Sequence, residues 1–157
     1  IADEILQRLK FPNKERKHMV EAIRGHMRFM EVRKMRPAKL RKLIGAETFD
    51  LELELHRLDC LGSHEMLDNH AFLQEYMDQM ANEPILPDPW VRGHDLLAMG
   101  FQEGRRIGQI LQAAYDAQME GRFAGRDELL EWIRASFQPE EGGHGGADPG
   151  EVAGDGQ

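Results

Sequence analysis

Between Gly93 and Arg134 the chain sets three glycines and two arginines where an anion can be held. Gly100, Gly104 and Gly108 bracket Arg105 and Arg106, and a helical periodicity through Ile107, Ile110, Leu111, Ala114 and Gln118 begins at the same point. Backbone amides and two cations therefore meet at the N-terminus of a predicted helix, the outline of a phosphate site. The plainer reading of the same residues is an ordinary glycine-punctuated connection between two helices. Amides at such a turn grip phosphate without reading bases, which suits a ligand recognised by its shape, as folded RNA is.

A second group of cations lies upstream. The segment from Arg24 to Lys42 interleaves Phe29 and several methionines with Arg28, Arg33, Lys34, Arg36, Lys39, Arg41 and Lys42. That mixture suits phosphate contacts beside an apolar anchor, and it equally describes a solvated helix face. The charge is split along the chain: residues 1 to 46 carry 13 Lys and Arg against 5 Asp and Glu, giving +8, and the remainder carries 7 against 23, giving −16. The net −8 thus hides a basic end. Screening confines each charge to about 8–10 Å at physiological salt, so the acidic total does not cancel a local basic patch.

Other reactive residue types are sparse. His56 and Asp59 are three apart on a predicted helix and His64 follows Gly62, a set that could hold a divalent ion. Pairing of a buried His56 with Asp59 uses the same atoms at lower cost. Cys60 stands alone, so no disulfide forms within the chain, and a small buried apolar role fits it. Trp90 closes a proline-rich stretch and Trp132 falls in an amphipathic helix; packing is the expected use of both.

The elements that must position these residues read as all-α, an irregular array of about eight helices in two subdomains with no sheet. Helices are predicted at 3–9, 14–30, 37–43, 49–61, 69–81, 95–99, 104–120 and 127–137. Their apolar stripes are Met19, Ile23, Met27 and Met30; Leu51, Leu55 and Leu58; and Leu129 or Leu130 with Ile133 and Phe137. Asn13 and Thr48 suit N-caps, Pro37 a first helical turn, and Asp95 a helix N-terminus. Asn82 to Trp90 holds three of the seven prolines, which breaks the chain into a body at 1–83, a linker at 84–90 and a tail domain at 91–137. Residues 138–157 offer seven glycines and almost nothing to bury, so disorder is expected there. A composition of 41% apolar and 31% charged residues supports one soluble unit, and no apolar run reaches the roughly 20 residues of a membrane span. The lone cysteine and the lack of a signal peptide suit the cytoplasm.

Several motifs in register resemble one family. Gly93-x-Asp95-Leu96, Gly100, Gly104-x-x-Ile107-Gly108, Gln118-x-x-Gly121-Arg122 and Arg126-Asp127-Glu128 are similar to the C-terminal region of bacterial tRNA nucleotidyltransferases and poly(A) polymerases. Phe11-Pro12-Asn13-Lys14-Glu15, His26-Met27-Arg28-Phe29-Met30 and the run from Leu55 to His64 resemble the helical body of that family in the same order, so the resemblance spans about residues 1–137. One departure stands in the turn, where Glu103-Gly104-Arg105 replaces the Pro-Gly-Pro usual in the family.

The resemblance implies that the parent enzyme adds nucleotides to RNA 3′ ends, using Mg and a nucleoside triphosphate in an N-terminal head. The sequence has no Asp-x-Asp pair and no glycine loop leading from a strand, and it starts at Ile1 as a fragment does. The chain is therefore expected to be inactive alone and to need no cofactor. Its expected partners are tRNA or another RNA 3′ end and the missing catalytic head. A helical interaction module that dimerises through Met19, Met27, Met30, Met35, Met77, Met80 and Met99 is the alternative. A remnant metal phosphohydrolase is a third reading, which requires bound metal.

Overall fold

The computed structural model describes residues 1–63 and 66–139, and among them the fold is all-α with no strand. The elements are α1 (Ala2–Arg8), α2 (Asn13–Gly25), a 3-10 helix (His26–Lys34), α3 (Pro37–Ile44), α4 (Phe49–Ser63), α5 (Asp68–Gln79), α6 (Gly93–Ala98), α7 (Arg105–Met119) and α8 (Arg126–Ser136). The expected disordered tail, from residue 140 onward, lies outside the described residues.

The predicted helix from 14 to 30 is the main correction. It ends at Gly25, and the chain continues for nine residues as a 3-10 helix. A three-residue turn eclipses side chains at i and i+3, which aligns Phe29 and Val32, both fully buried, with Met35 packed against the same cluster. The predicted stripe through Ile23, Met27 and Met30 instead faces outward, with these residues 40%, 56% and 54% exposed.

A buried carboxylate sits where the two helix types meet. Glu52 is fully buried; Arg28 Nε donates to its Oε2 at 2.6 Å, Arg28 Nη2 donates to Oε1, and Thr48 Oγ1 donates to Oε1 at 2.5 Å. Gly25 leaves room for it, since a Cβ there would stand 2.5 Å from the Glu52 Cδ. The α4 face that enters the core is thus Phe49, Glu52, Leu53, His56 and Cys60, and the predicted Leu51, Leu55 and Leu58 face is rotated away from it, leaving Leu58 51% exposed. Pro37 takes a first-turn position in α3 as predicted. Asn13 is the first residue of α2 rather than its cap, and Thr48 spends its hydroxyl on Glu52.

The apolar interior falls into two clusters. One gathers Phe29, Val32, Leu40, Leu43, Phe49, Leu53 and Leu73; the other gathers Val91, Leu96, Phe101, Ile110, Ala114, Leu129 and Ile133. Helices α3 and α7 join them, and the contact is strongly polar: Lys42 Nζ pairs with Asp116, and Arg36 with Glu120 at 3.3 Å. The proline stretch is strapped along this seam. Arg41 donates to the carbonyls of Pro84 at 2.6 Å and Ile85 at 2.8 Å, Tyr115 to that of Pro87 at 2.8 Å, and Gln118 binds both Asp88 O and Trp90 N.

Candidate nucleic-acid interface

Local geometry at the glycine turn follows from its sequence. After α6 the chain reverses through Gly100 at φ 89°, with Phe101 N donating to Leu96 O at 3.1 Å, and it enters α7 through Gly104 at φ 151°. Both positions are in the left-handed region that favours glycine. Phe101, 5% exposed, anchors the turn in the second core. The first-turn amides of α7 have no intrahelical acceptor, and among the described residues no side chain caps them.

These amides border a cleft of about 490 Å³ lined by Gln102, Glu103, Gly104, Arg105, Arg106 and Gln109 among others. Arg105 is exposed and also lines a shallow groove along α7 with Gly108 and Gln112. Arg106 is half-buried, and its Nη2 donates to Gln138 O at 2.7 Å. Apart from its own helix backbone and chain neighbours, no described residue lies within 4 Å of where a Cβ on Gly108 would point, so the groove floor there is backbone that a ligand can approach closely. Gly104, Arg105, Arg106 and Gly108 therefore lie along two adjoining hollows that share Arg105, with Glu103 and Asp116 as the opposing charges, while Gly100 lines neither.

Asp95 joins the two helices that flank α7. Its Oδ2 accepts from Arg92 N at 2.8 Å and its Oδ1 from Arg126 Nη2 at 2.6 Å, which ties the start of α6 to the start of α8. The Arg92 amide holds the Asp95 carboxyl below the usual carboxylate range, and the Arg126 guanidinium adds to this against the effect of burial. A folded value below the unfolded one contributes stability that is full above the unfolded value, about 3.9, and is lost as pH falls through the folded value. Asp95→Asn is accordingly expected to melt below wild type at pH 7, with the two curves converging in acid. Calorimetry across that range checks it, and a gap that stays constant with pH refutes it.

The upstream cations are mostly engaged within the protein. Arg41 is 8% exposed and holds two linker carbonyls, which removes it from the set of surface phosphate contacts: its guanidinium is an internal brace. Arg28 neutralises Glu52, while Arg36 and Lys42 bridge to α7. Arg33 donates to Asp68 O at 2.9 Å and lies 5.9 Å from the Phe72 ring centroid. Lys34 pairs loosely with Glu31 at 3.6 Å, both being exposed, and Lys39 is exposed without an ion pair among the described residues. Arg33 and the glycine turn line different cavities.

Of the predicted divalent set, His64 lies outside the described residues. Among those described, no three His, Cys, Asp or Glu side chains converge on a metal position. His56 is 3% exposed and stacks on Phe29 with centroids 5.3 Å apart, whereas Asp59 is exposed. Trp132 packs against Phe123 and Phe137, and Trp90 against the same core, as expected of both. No helix among the described residues is long and apolar enough to cross a membrane. Neither a known protein family, a curated protein nor a solved structure matches this chain.

Proposed function

We propose that this chain is the RNA-binding body and tail of a template-independent RNA nucleotidyltransferase, a CCA-adding enzyme or a poly(A) polymerase. In this reading it holds an RNA 3′ end toward a catalytic head located elsewhere. The observation that carries the reading is the N-terminus of α7, uncapped among the described residues, bordered by Arg105 and Arg106 and entered through Gly104. Such a site takes a backbone phosphate through amides and guanidinium groups together. Further support comes from the motif resemblance and from the exposed cations Arg33, Lys34 and Lys39 on the body.

The test is tRNA titration by fluorescence anisotropy across a salt series, with Arg105→Ala/Arg106→Ala beside wild type. Wild-type affinity is expected to fall steeply with salt. The double variant is expected to bind about tenfold more weakly, with a log–log salt slope smaller by about 1 to 2, as each lost phosphate contact contributes about 0.7–0.9. Equal binding by both proteins moves the grip away from the turn, and no binding at low salt ends the proposal.

A second reading is a helical interaction module. It draws on one observation: Met27, Met30, Leu58, Leu61 and Met66 are each more than 40% exposed on the outer face of the body. Sedimentation showing only monomer over a wide concentration range counts against self-association through that face.

A further inference from the structure

The chain leaves α7 through Gly121, at φ 65°, and the Arg122 amide turns back to donate to Ala117 O at 3.1 Å, which fixes the backbone at Arg122. The side chain is fixed as well. Its guanidinium carbon lies 5.6 Å from the Phe123 ring centroid and 5.3 Å from that of Trp132, within cation–π range of both. Arg122 is exposed, and among the described residues its guanidinium N–H groups have no hydrogen-bond or ion-pair partner. We propose that Arg122, seated on Phe123 and Trp132, is a platform on which an unpaired RNA base stacks. This proposal rests on the RNA-binding reading above and adds an unpaired base to the ligand.

Position and chemistry carry the assignment. Trp132 meets Phe137 edge-on with centroids 5.5 Å apart, and the next residue, Gln138, accepts through its carbonyl from Arg106 at 2.7 Å. Two consecutive residues therefore connect the platform to the arginines of the glycine turn, and both contacts are offered to one RNA. Phe123 and Trp132 are half-buried, so they pack against the second core and keep part of each ring accessible. A guanidinium plane and an aromatic ring are the groups on which unstacked bases are held.

Charge decides between a base and a phosphate as the group that Arg122 meets. Glu128 stands one turn before Trp132 on α8 and so shares its side of the helix, and its Oε2 accepts from Ala124 N at 2.8 Å, two residues from Arg122. Glu131 adjoins Trp132 in sequence and is exposed. These carboxylates repel a phosphate brought to the guanidinium, whereas a neutral base meets no such penalty.

Two RNAs test the platform: a blunt duplex and the same duplex with an unpaired 3′ overhang, each titrated with the full chain by fluorescence anisotropy across a salt series. Arg122→Ala is expected to weaken overhang binding by about 10-fold or more, and blunt-duplex binding by less than about 2-fold. Its salt slope is expected to match wild type, because no phosphate contact is lost. Arg122→Lys is expected to behave as Arg122→Ala does, since an ammonium keeps the charge and loses the stacking plane. Saturation with overhang RNA is expected to quench the tryptophan emission of wild type, and to quench it less in Trp132→Phe. Circular dichroism melts establish that each variant folds; Arg122→Gln serves in place of Arg122→Ala if the latter does not. Wild-type overhang affinity in Arg122→Ala, full rescue by Arg122→Lys, or unquenched emission overturns the platform and leaves the grip at Arg105 and Arg106 standing. Failure of wild type to bind either RNA at low salt overturns the RNA-binding reading and the platform with it.

Discussion

Replacing Arg28 by methionine is expected to destabilise the fold by about 3 kcal/mol, read as a lower urea midpoint at unchanged m-value. The cause is the carboxylate it leaves behind. Glu52 is fully buried, and without the guanidinium it keeps, among the described residues, only the Thr48 hydroxyl. An uncompensated buried charge typically costs about 3–5 kcal/mol. The lower end applies because the Arg28 side chain is itself 41% exposed, so water can partly solvate the vacated side. Adding Glu52→Leu to Arg28→Met is expected to recover much of the loss, since an apolar replacement of the whole pair removes the unpaired charge. If the single variant is as stable as wild type, the pair does not anchor the junction of α2 with the 3-10 helix. Gly25 supplies an independent check on the same contact. Gly25→Ala must displace a carboxylate already fixed by three hydrogen bonds.

Arg41→Met is expected to cost about 2 kcal/mol, because two charge-assisted hydrogen bonds to the linker disappear. The lost partners are the carbonyls of Pro84 and Ile85, and Pro84 is exposed enough for water to replace one of them. A second readout separates this bracing role from a role at the surface: limited proteolysis between residues 84 and 90 should accelerate, while tRNA affinity of the folded fraction should stay at the wild-type value. Arg41→Lys is not expected to rescue, since one ammonium cannot reproduce the planar fork that reaches two carbonyls. Reduced tRNA affinity without faster cleavage returns Arg41 to the RNA-contacting set.

How much of the candidate site was legible differs between its two parts. The glycine turn was read from local signals, because Gly100 and Gly104 occupy backbone conformations that favour glycine, and the helix that starts at Arg105 has regular apolar spacing. The basic segment was legible as a composition and illegible as a surface. Arg28, Arg36, Arg41 and Lys42 face Glu52, Glu120, the Pro84 and Ile85 carbonyls and Asp116, which lie 24 to 84 positions away in sequence. Counting charge along the chain cannot distinguish a cation that meets solvent from one that meets a distant carboxylate. The one signal available was on α4, where Glu52 and His56 fall at helical spacing with Phe49, Leu53 and Cys60. A polar residue on such a stripe asks for a buried partner.

By itself the sequence determined the all-α class, the helix break at the proline stretch and the glycines of the turn before α7. These depend on residue-level properties: apolar period, the missing proline amide, and glycine's tolerance of positive φ. Tertiary structure alone decided which face of α2 and α4 turns inward. It also converted residues 26–34 to a three-residue repeat, since a period of three places Phe29, Val32 and Met35 in line against the same core. The polar seam between α3 and α7 likewise exists only in three dimensions. It brings part of the basic end of the chain against part of its acidic end, so opposite charges that read as two separate surfaces in sequence neutralise each other where the two halves meet.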